Sequence, residues 1–245
     1  MPASLLPAGS AKGNEMAEIT GRVTLLTGWL LGMALVSWRY LWQTTPLHRS
    51  EVRVRTDERP SPEIPRELRD ERCQPEAAGV GELYHRLFSV RIEDGVRGPA
   101  ELMEQVKENL NCAAPTEVAR FYKTSGETDA MRLGDEFVVR MPGPWDGPVR
   151  VVACEPDRFR FVTLQGHLEA GQIEFRAVPG DDHLRFEIET WARPSSGLVN
   201  LLYAQLRLAK EMQLNMWVRY CLSIAGVCGG RASGGVTIET RRVLA

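Results

Sequence analysis

Histidine is scarce in this chain, with four among 245 residues, and no two stand at metal-ligand spacing. A histidine-built zinc centre is therefore excluded on pattern. Cysteine offers no substitute. Cys73, Cys112, Cys154, Cys221 and Cys228 are odd in number and lack C-x-x-C spacing. That argues against both a disulfide framework and a zinc site, and leaves reduced, mostly packed thiols that lean towards a cytosolic main domain. An excess of one charge is also missing: the net charge is −2 and the pI about 6.2, so no global field draws the chain to nucleic acid. The glycine-rich run "GVCGGRASGG" (226–235) lacks the G-x-x-x-x-G-K-[ST] pattern of a phosphate cradle. No cofactor is implied. What remains is 43% hydrophobic and 25% charged, an ordinary balance for one globular domain with extensions.

The longest uncharged apolar run near the amino terminus is "VTLLTGWLLGMALVSW" (23–38). Tyr40, Leu41 and Trp42 extend it past Arg39, to about the 20 residues a bilayer-spanning helix needs. Residues 23–42 are read as a transmembrane anchor after a tail over 1–22. A cleaved signal peptide is the main competitor, weakened because no small-x-small site follows the run. A buried soluble helix is the third reading. Arg39, Arg49, Arg53, Arg55 and Arg59 lie downstream, against Lys12 and Arg22 upstream, so the positive-inside rule puts the main domain in the cytoplasm. Thr24, Gly28 and Gly32 recur every four residues, a spacing that lets two membrane helices pack as a homodimer. Glycine is also simply common in membrane helices. Residues 43–80 hold Pro46, Pro60, Pro62, Pro65 and Pro75 amid dense charges of both signs, and read as a solvated linker without regular elements.

The main domain is placed at 81–245. "YHRLFSVRI" (84–92) alternates as a strand does, and "PAELMEQVKENLN" opens a helix at Pro99 with Leu102, Val106 and Leu110 on its buried face. A second short helix is expected from Pro115, with Val118, Phe121 and Tyr122 packing inward. Five antiparallel strands follow at 135–141, 148–154, 158–164, 171–178 and 184–192, separated by turn formers. Ile173, Phe175 and Ala177, with Leu184, Phe186 and Ile188, should face a covered side. Glu174, Glu187 and Glu189 should face water and pair with Arg176 and Arg185 across the strands. The stretch from Gly197 to about Ala225 reads as a long helix packed on the sheet. Its expected side carries Leu202, Leu206, Ala209, Gln213, Met216 and Tyr220. "VTIETRRV" reads as a last strand or an ordered tail.

That order, an α+β curved sheet closed by a long helix, is the order of the helix-grip fold. "YHRLFSVRI", "VRMPGPWDGPVRV", "FRFVTLQGHLEAGQIEFRA" and "LRFEIETWARPSS" together resemble a bacterial family of unknown function in the START-like, polyketide-cyclase-like superfamily. The resemblance spans roughly 81–225. Its most specific pieces are G-H-x-x-x-G-x-x-x-F and the strand ending W-A-R-P. It implies a cavity for a small hydrophobic or lipid-like ligand and supplies no catalytic residue.

His167, His85, Trp145, Phe175, Phe186 and Met216 are the ligand-pocket candidates. His167 follows Gly166 in a turn, where a surface position or a hydrogen bond to loop backbone is the plain reading and a pocket mouth the sharper one. Trp145 sits in the hairpin turn "PWDG" as a packing residue or a lid. Lys123, Asp135 and Arg193 have no assignable partner. Three functions compete. The first is a membrane-tethered, non-catalytic binder whose partners are membrane lipid and a small hydrophobic ligand. The second is a cyclase-like or hydrolase-like enzyme using a pocket histidine. The third is a structural or scaffolding membrane protein.

Overall fold

The structure, a computed structural model, describes residues 47–117, 119–128, 130–141, 146–197 and 208–244, with backbone only for 208–213. The proposed anchor, with Thr24, Gly28 and Gly32, and the turn residue Trp145 lie outside the described residues. Among the described residues no helix is long and apolar enough to cross a membrane.

Nine strands form one curved sheet. They are β1 (Leu47–Val54), β2 (Leu83–Glu93), β3 (Arg120–Ser125), β4 (Glu136–Arg140), β5 (Asp146–Glu155), β6 (Arg158–Thr163), β7 (Glu169–Pro179), β8 (Leu184–Pro194) and β9 (Arg231–Val243). Their spatial order is β1-β9-β2-β8-β7-β6-β5-β4-β3. The β1–β9 pair is parallel and every other pair antiparallel. Helix α1 (Pro99–Glu108) and the long helix α2 (described from Leu208 to Val227) complete the fold, a layout consistent with the helix-grip arrangement.

The strands expected from alternation are present within a few residues of their expected ends. The second short helix is not: residues 120–125 form β3. Phe121 is buried and Tyr122 exposed, so the aromatic pair alternates across a strand instead of sharing a helix face. Asn111 fixes this locally. Its Oδ1 accepts from the Phe121 N–H at 2.8 Å and its Nδ2 donates to the Phe121 carbonyl at 2.9 Å, as a neighbouring strand would. The last strand is longer than expected, because the glycine-rich run itself joins β9.

The covered face holds the core. Phe159, Phe161, Phe175, Phe186, Phe88, Val90 and Ile188 point towards α2, whose Trp217, Tyr220, Cys221 and Ile224 meet them. Residues 214 to 218 of α2 are all buried, so the helix is covered on more than the one side expected.

The opposite face departs most from expectation. Residues 47–80 are not a solvated spacer. Leu47–Val54 is strand β1, and the chain from Asp57 to Val80 lies as a strap across the sheet. Pro65 and Pro75 precede two short 3-10 turns, Arg66–Leu68 and Glu76–Ala78, Cys73 bridges to Leu164, and carbonyls of the strap accept from side chains of the sheet. Trp191 Nε1 donates to the Arg59 carbonyl at 2.9 Å, Gln172 Nε2 to that of Pro62 at 2.9 Å, and Thr163 Oγ1 to that of Gln74 at 2.8 Å. Glu174, Glu187 and Glu189, expected in water, are therefore buried beneath it.

Candidate functional site

Two polar clusters lie between strap and sheet. In the first, Arg150 on β5 reaches Asp70 at 2.8 Å, Glu136 at 2.7 Å and the Leu68 carbonyl at 3.0 Å. Arg72 of the strap completes it with a 2.5 Å contact to Glu136. The hydrogen bond from Arg150 holds the Asp70 carboxyl far below the usual carboxylate range. Burial alone would raise Glu136, but Arg72 and Arg150 outweigh it and hold it low.

The second cluster centres on His85 of β2. Its register partners on this face are Trp191 on β8 and Arg241 on β9. The imidazole stacks on the Trp191 ring at 5.3 Å. Its Nε2 is 2.7 Å from Glu189 Oε1, an aligned hydrogen bond, and its Nδ1 is 2.7 Å from Asp57 Oδ2, close but off the hydrogen-bond line. Arg176 Nη1 donates to the other Glu189 oxygen at 2.5 Å, and the same guanidinium holds Glu187 at 2.6 Å and Glu174 at 3.1 Å. Arg176 on β7 thus makes the expected cross-strand pairs with Glu187 and Glu189 of β8, both of them buried, while the exposed Arg185 reaches Glu187 of its own strand at 2.6 Å. Burial pushes the Glu189 carboxyl up, while His85 and Arg176 together pull it below its ordinary value. His85 therefore stands on the face away from α2, in an ion network under the strap, and not in a grip cavity.

His167 has a structural role in the turn before β7. Its Nδ1 accepts from the Glu169 N–H at 2.9 Å, and its ring covers Gly147, where an added Cβ would come within 3.1 Å of it. The residue is half-buried, and burial of the imidazole pushes its pKa down. The G-H-x-x-x-G motif is a matter of backbone fit. Gly166 has φ +98°, and a Cβ at Gly171 would meet the Trp191 carbonyl oxygen at 1.9 Å. Within "GHLEAGQIEF", Glu174 belongs to the strap side, while Glu169 is buried at the start of β7.

The remaining pocket candidates lie in the core. Phe175 stacks on Phe159 at 4.8 Å and meets Trp217 at 5.5 Å and Tyr220 at 5.7 Å. Phe186 stacks on Tyr220 at 6.1 Å, and Met216 is buried beside them. Sequence reasoning missed the polar residues that join this face. Arg86 pairs in register with Thr190 on β8 and Thr240 on β9, all three buried. They sit one step along the sheet from Phe88, Ile188 and Ile238, on the same side. The Arg86 guanidinium lies 4.7 Å from the Tyr84 ring centre. The signal was in the alternation: Arg86 shares the parity of Phe88 and Val90. Lys123 and Asp135 pair with each other at 2.7 Å, and Arg193 donates to the Gly81 carbonyl at 3.2 Å. All five cysteines are free thiols. Among the described residues no cluster of three or more histidine, cysteine or acidic side chains is placed to hold a metal ion.

Residues 88–222 match the model of a domain of unknown function, DUF1990, over more than half of the chain. The chain belongs to this family. The DUF1990 match begins inside β2 and ends inside α2, and β1, the strap and β9 lie outside it. A search among curated proteins returned no match. Among solved structures, the KanY protein matches at 9% identity and TM-score 0.44, over 62% of this chain and 99% of its own. The di-domain aromatase/cyclase StfQ from the steffimycin pathway matches at 11% and 0.44, over 63% of this chain and 52% of its own. Norcoclaurine synthase from Thalictrum flavum matches at 10% and 0.39, over 62% and 88%. At this level the likenesses assign nothing further to the DUF1990 chain.

Proposed function

We propose that this DUF1990 protein is a membrane-anchored, non-catalytic binder of a hydrophobic or lipid-like ligand, held between the sheet and α2. The observation that carries the reading is the composition of the sheet face towards α2. It is aromatic and apolar over most of its width, with Arg86, Thr190 and Thr240 buried at one side. An apolar surface with a few placed polar groups is the lining that apolar ligands use. Two contacts favour binding over acid/base chemistry. His85 is engaged on the other face, and His167 has given Nδ1 to the turn backbone. The anchor is residues 23–42, with the main domain on the cytoplasmic side and membrane lipid as neighbour. Thr24, Gly28 and Gly32 are the surface through which two such helices would pair.

The test is to purify the full chain, denature it and weigh what is released by mass spectrometry. A hydrophobic compound in near-equal amount with protein supports the reading. Protein that releases none, and that no added amphiphile binds, refutes it. The anchor is tested separately: the full chain should stay with membranes through an alkaline carbonate wash, and removing residues 1–46 should release it.

A further inference from the structure

His85 of β2 stands between two carboxylates from different parts of the chain. Glu189 belongs to β8, and Asp57 to the start of the strap, just past β1. Each ring nitrogen has a carboxylate oxygen at 2.7 Å, and the His85 side chain is 2% exposed and each acid 6%. A neutral imidazole has one N–H and one bare lone pair. Kept on Nε2 for Glu189, the single proton would leave the Nδ1 lone pair against Asp57 Oδ2, a buried oxygen that accepts no hydrogen bond elsewhere. The other charges around the ring do not replace that proton. Arg241 of β9 is 3.9 Å from the second Asp57 oxygen and closer to Glu58, at 3.3 Å. Arg176 of β7 is engaged by Glu174, Glu187 and Glu189. Only the doubly protonated ring satisfies both carboxylates. Beside this tie, the Arg59 carbonyl accepts from Trp191 Nε1 at 2.9 Å, and the Trp191 ring stacks on His85. The leading end of the strap is thus held at two adjacent points, one ionic and one neutral.

We propose that His85 is a proton-operated latch: as imidazolium it seats the strap at Asp57 and Arg59, and on losing its proton it lets that segment lift from Trp191. The proton leaves Nδ1 for solvent. The Nε2–H stays on Glu189, whose second oxygen Arg176 holds. Asp57 Oδ2 then faces a lone pair, and the segment moves away. The rest of the strap remains tied through Arg150. The sign is defined: the latch is closed while the ring is protonated and opens as pH rises, the opposite sense to His167. It lies on the face away from α2 and needs no ligand there.

The experiment uses the full chain in detergent micelles, from about pH 6 to about pH 9, the span in which protein imidazoles titrate. Nitrogen-15 shifts of the His85 ring, assigned by their loss in His85→Gln, should show both nitrogens protonated at the acid end. The Trp191 indole N–H, assigned by Trp191→Phe, should exchange slowly with solvent there. As the ring deprotonates, the protection of that N–H relative to free tryptophan at the same pH should fall about tenfold or more, the loss of one charge-assisted hydrogen bond. Asp57→Asn should keep the protection at high pH, because the amide can donate to the bare Nδ1. A His85 ring that holds one protonation state throughout, or a Trp191 protection that ignores its titration, overturns the proposal. Both readouts are made on wild-type protein, which can be assigned through its backbone if a variant fails to fold.

Discussion

Glu189 shows what burial does to a residue that looked exposed. Its side chain is shared between His85 and Arg176 in a site closed by the strap. Removing one partner from such a network leaves a buried charge without its complement. Glu189→Ala should therefore destabilise the fold by about 3 kcal/mol in urea unfolding at neutral pH. A surface glutamate would change stability by less than about 0.5 kcal/mol. The pH dependence has a defined sign. The folded Glu189 pKa is below its unfolded value, so its contribution is present above about pH 4.3 and is lost as pH falls through the folded pKa. His167 acts in the same direction at higher pH. Its folded pKa is also lowered, so its contribution is full above about pH 6.5 and declines on acidification. Unfolding measured between pH 7 and pH 5 should show a loss that His167→Asn reduces, since asparagine can still accept from the Glu169 N–H without taking up a proton.

At the scale of elements, the strap behaves as a covering layer, and Arg150 is its principal tie. One guanidinium holds Asp70, Glu136 and the Leu68 carbonyl. Arg150→Ala should loosen residues 57–80 while the sheet persists. Trypsin should then cut at Arg66 or Arg69, both exposed, well before global unfolding, and wild-type protein should resist at the same dose. Equal cleavage in the two would contradict the strap's role. The strands of the central sheet were legible because Ile173, Phe175 and Ala177 alternate with polar residues, and alternation is a local signal. The strap was not legible, because a run of prolines and charges reads the same whether it is hydrated or laid on ionic partners far away in sequence. For the same reason Glu174 and Glu187 looked wet: polarity marks the face away from the core, not whether something covers it. Phe121 was misread because "ARFYKTS" carries apolar residues that fit either period, and Asn111, ten residues earlier, decides between them.

For the whole molecule, the elements outside the DUF1990 match are structural parts of the fold. β1 covers the edge of β9, and the strap buries the polar face. A chain beginning at residue 47 should melt in one cooperative transition, whereas one beginning at 81 should aggregate or melt without cooperativity, because it exposes Trp191, His85 and the acids around them. Part of the candidate site could be read from sequence: Phe175, Phe186 and Met216 were named from periodicity. Arg86 was passed over although its parity with Phe88 and Val90 sets it on that face, and Trp217 was not named because the helix side that meets the sheet is wider than the periodicity suggested. The most direct test of the binding claim is an experimental structure of the full chain purified from its native membranes. The account predicts ligand density between the sheet and α2, against Phe175 and Phe186. The same space filled by protein side chains alone would contradict it.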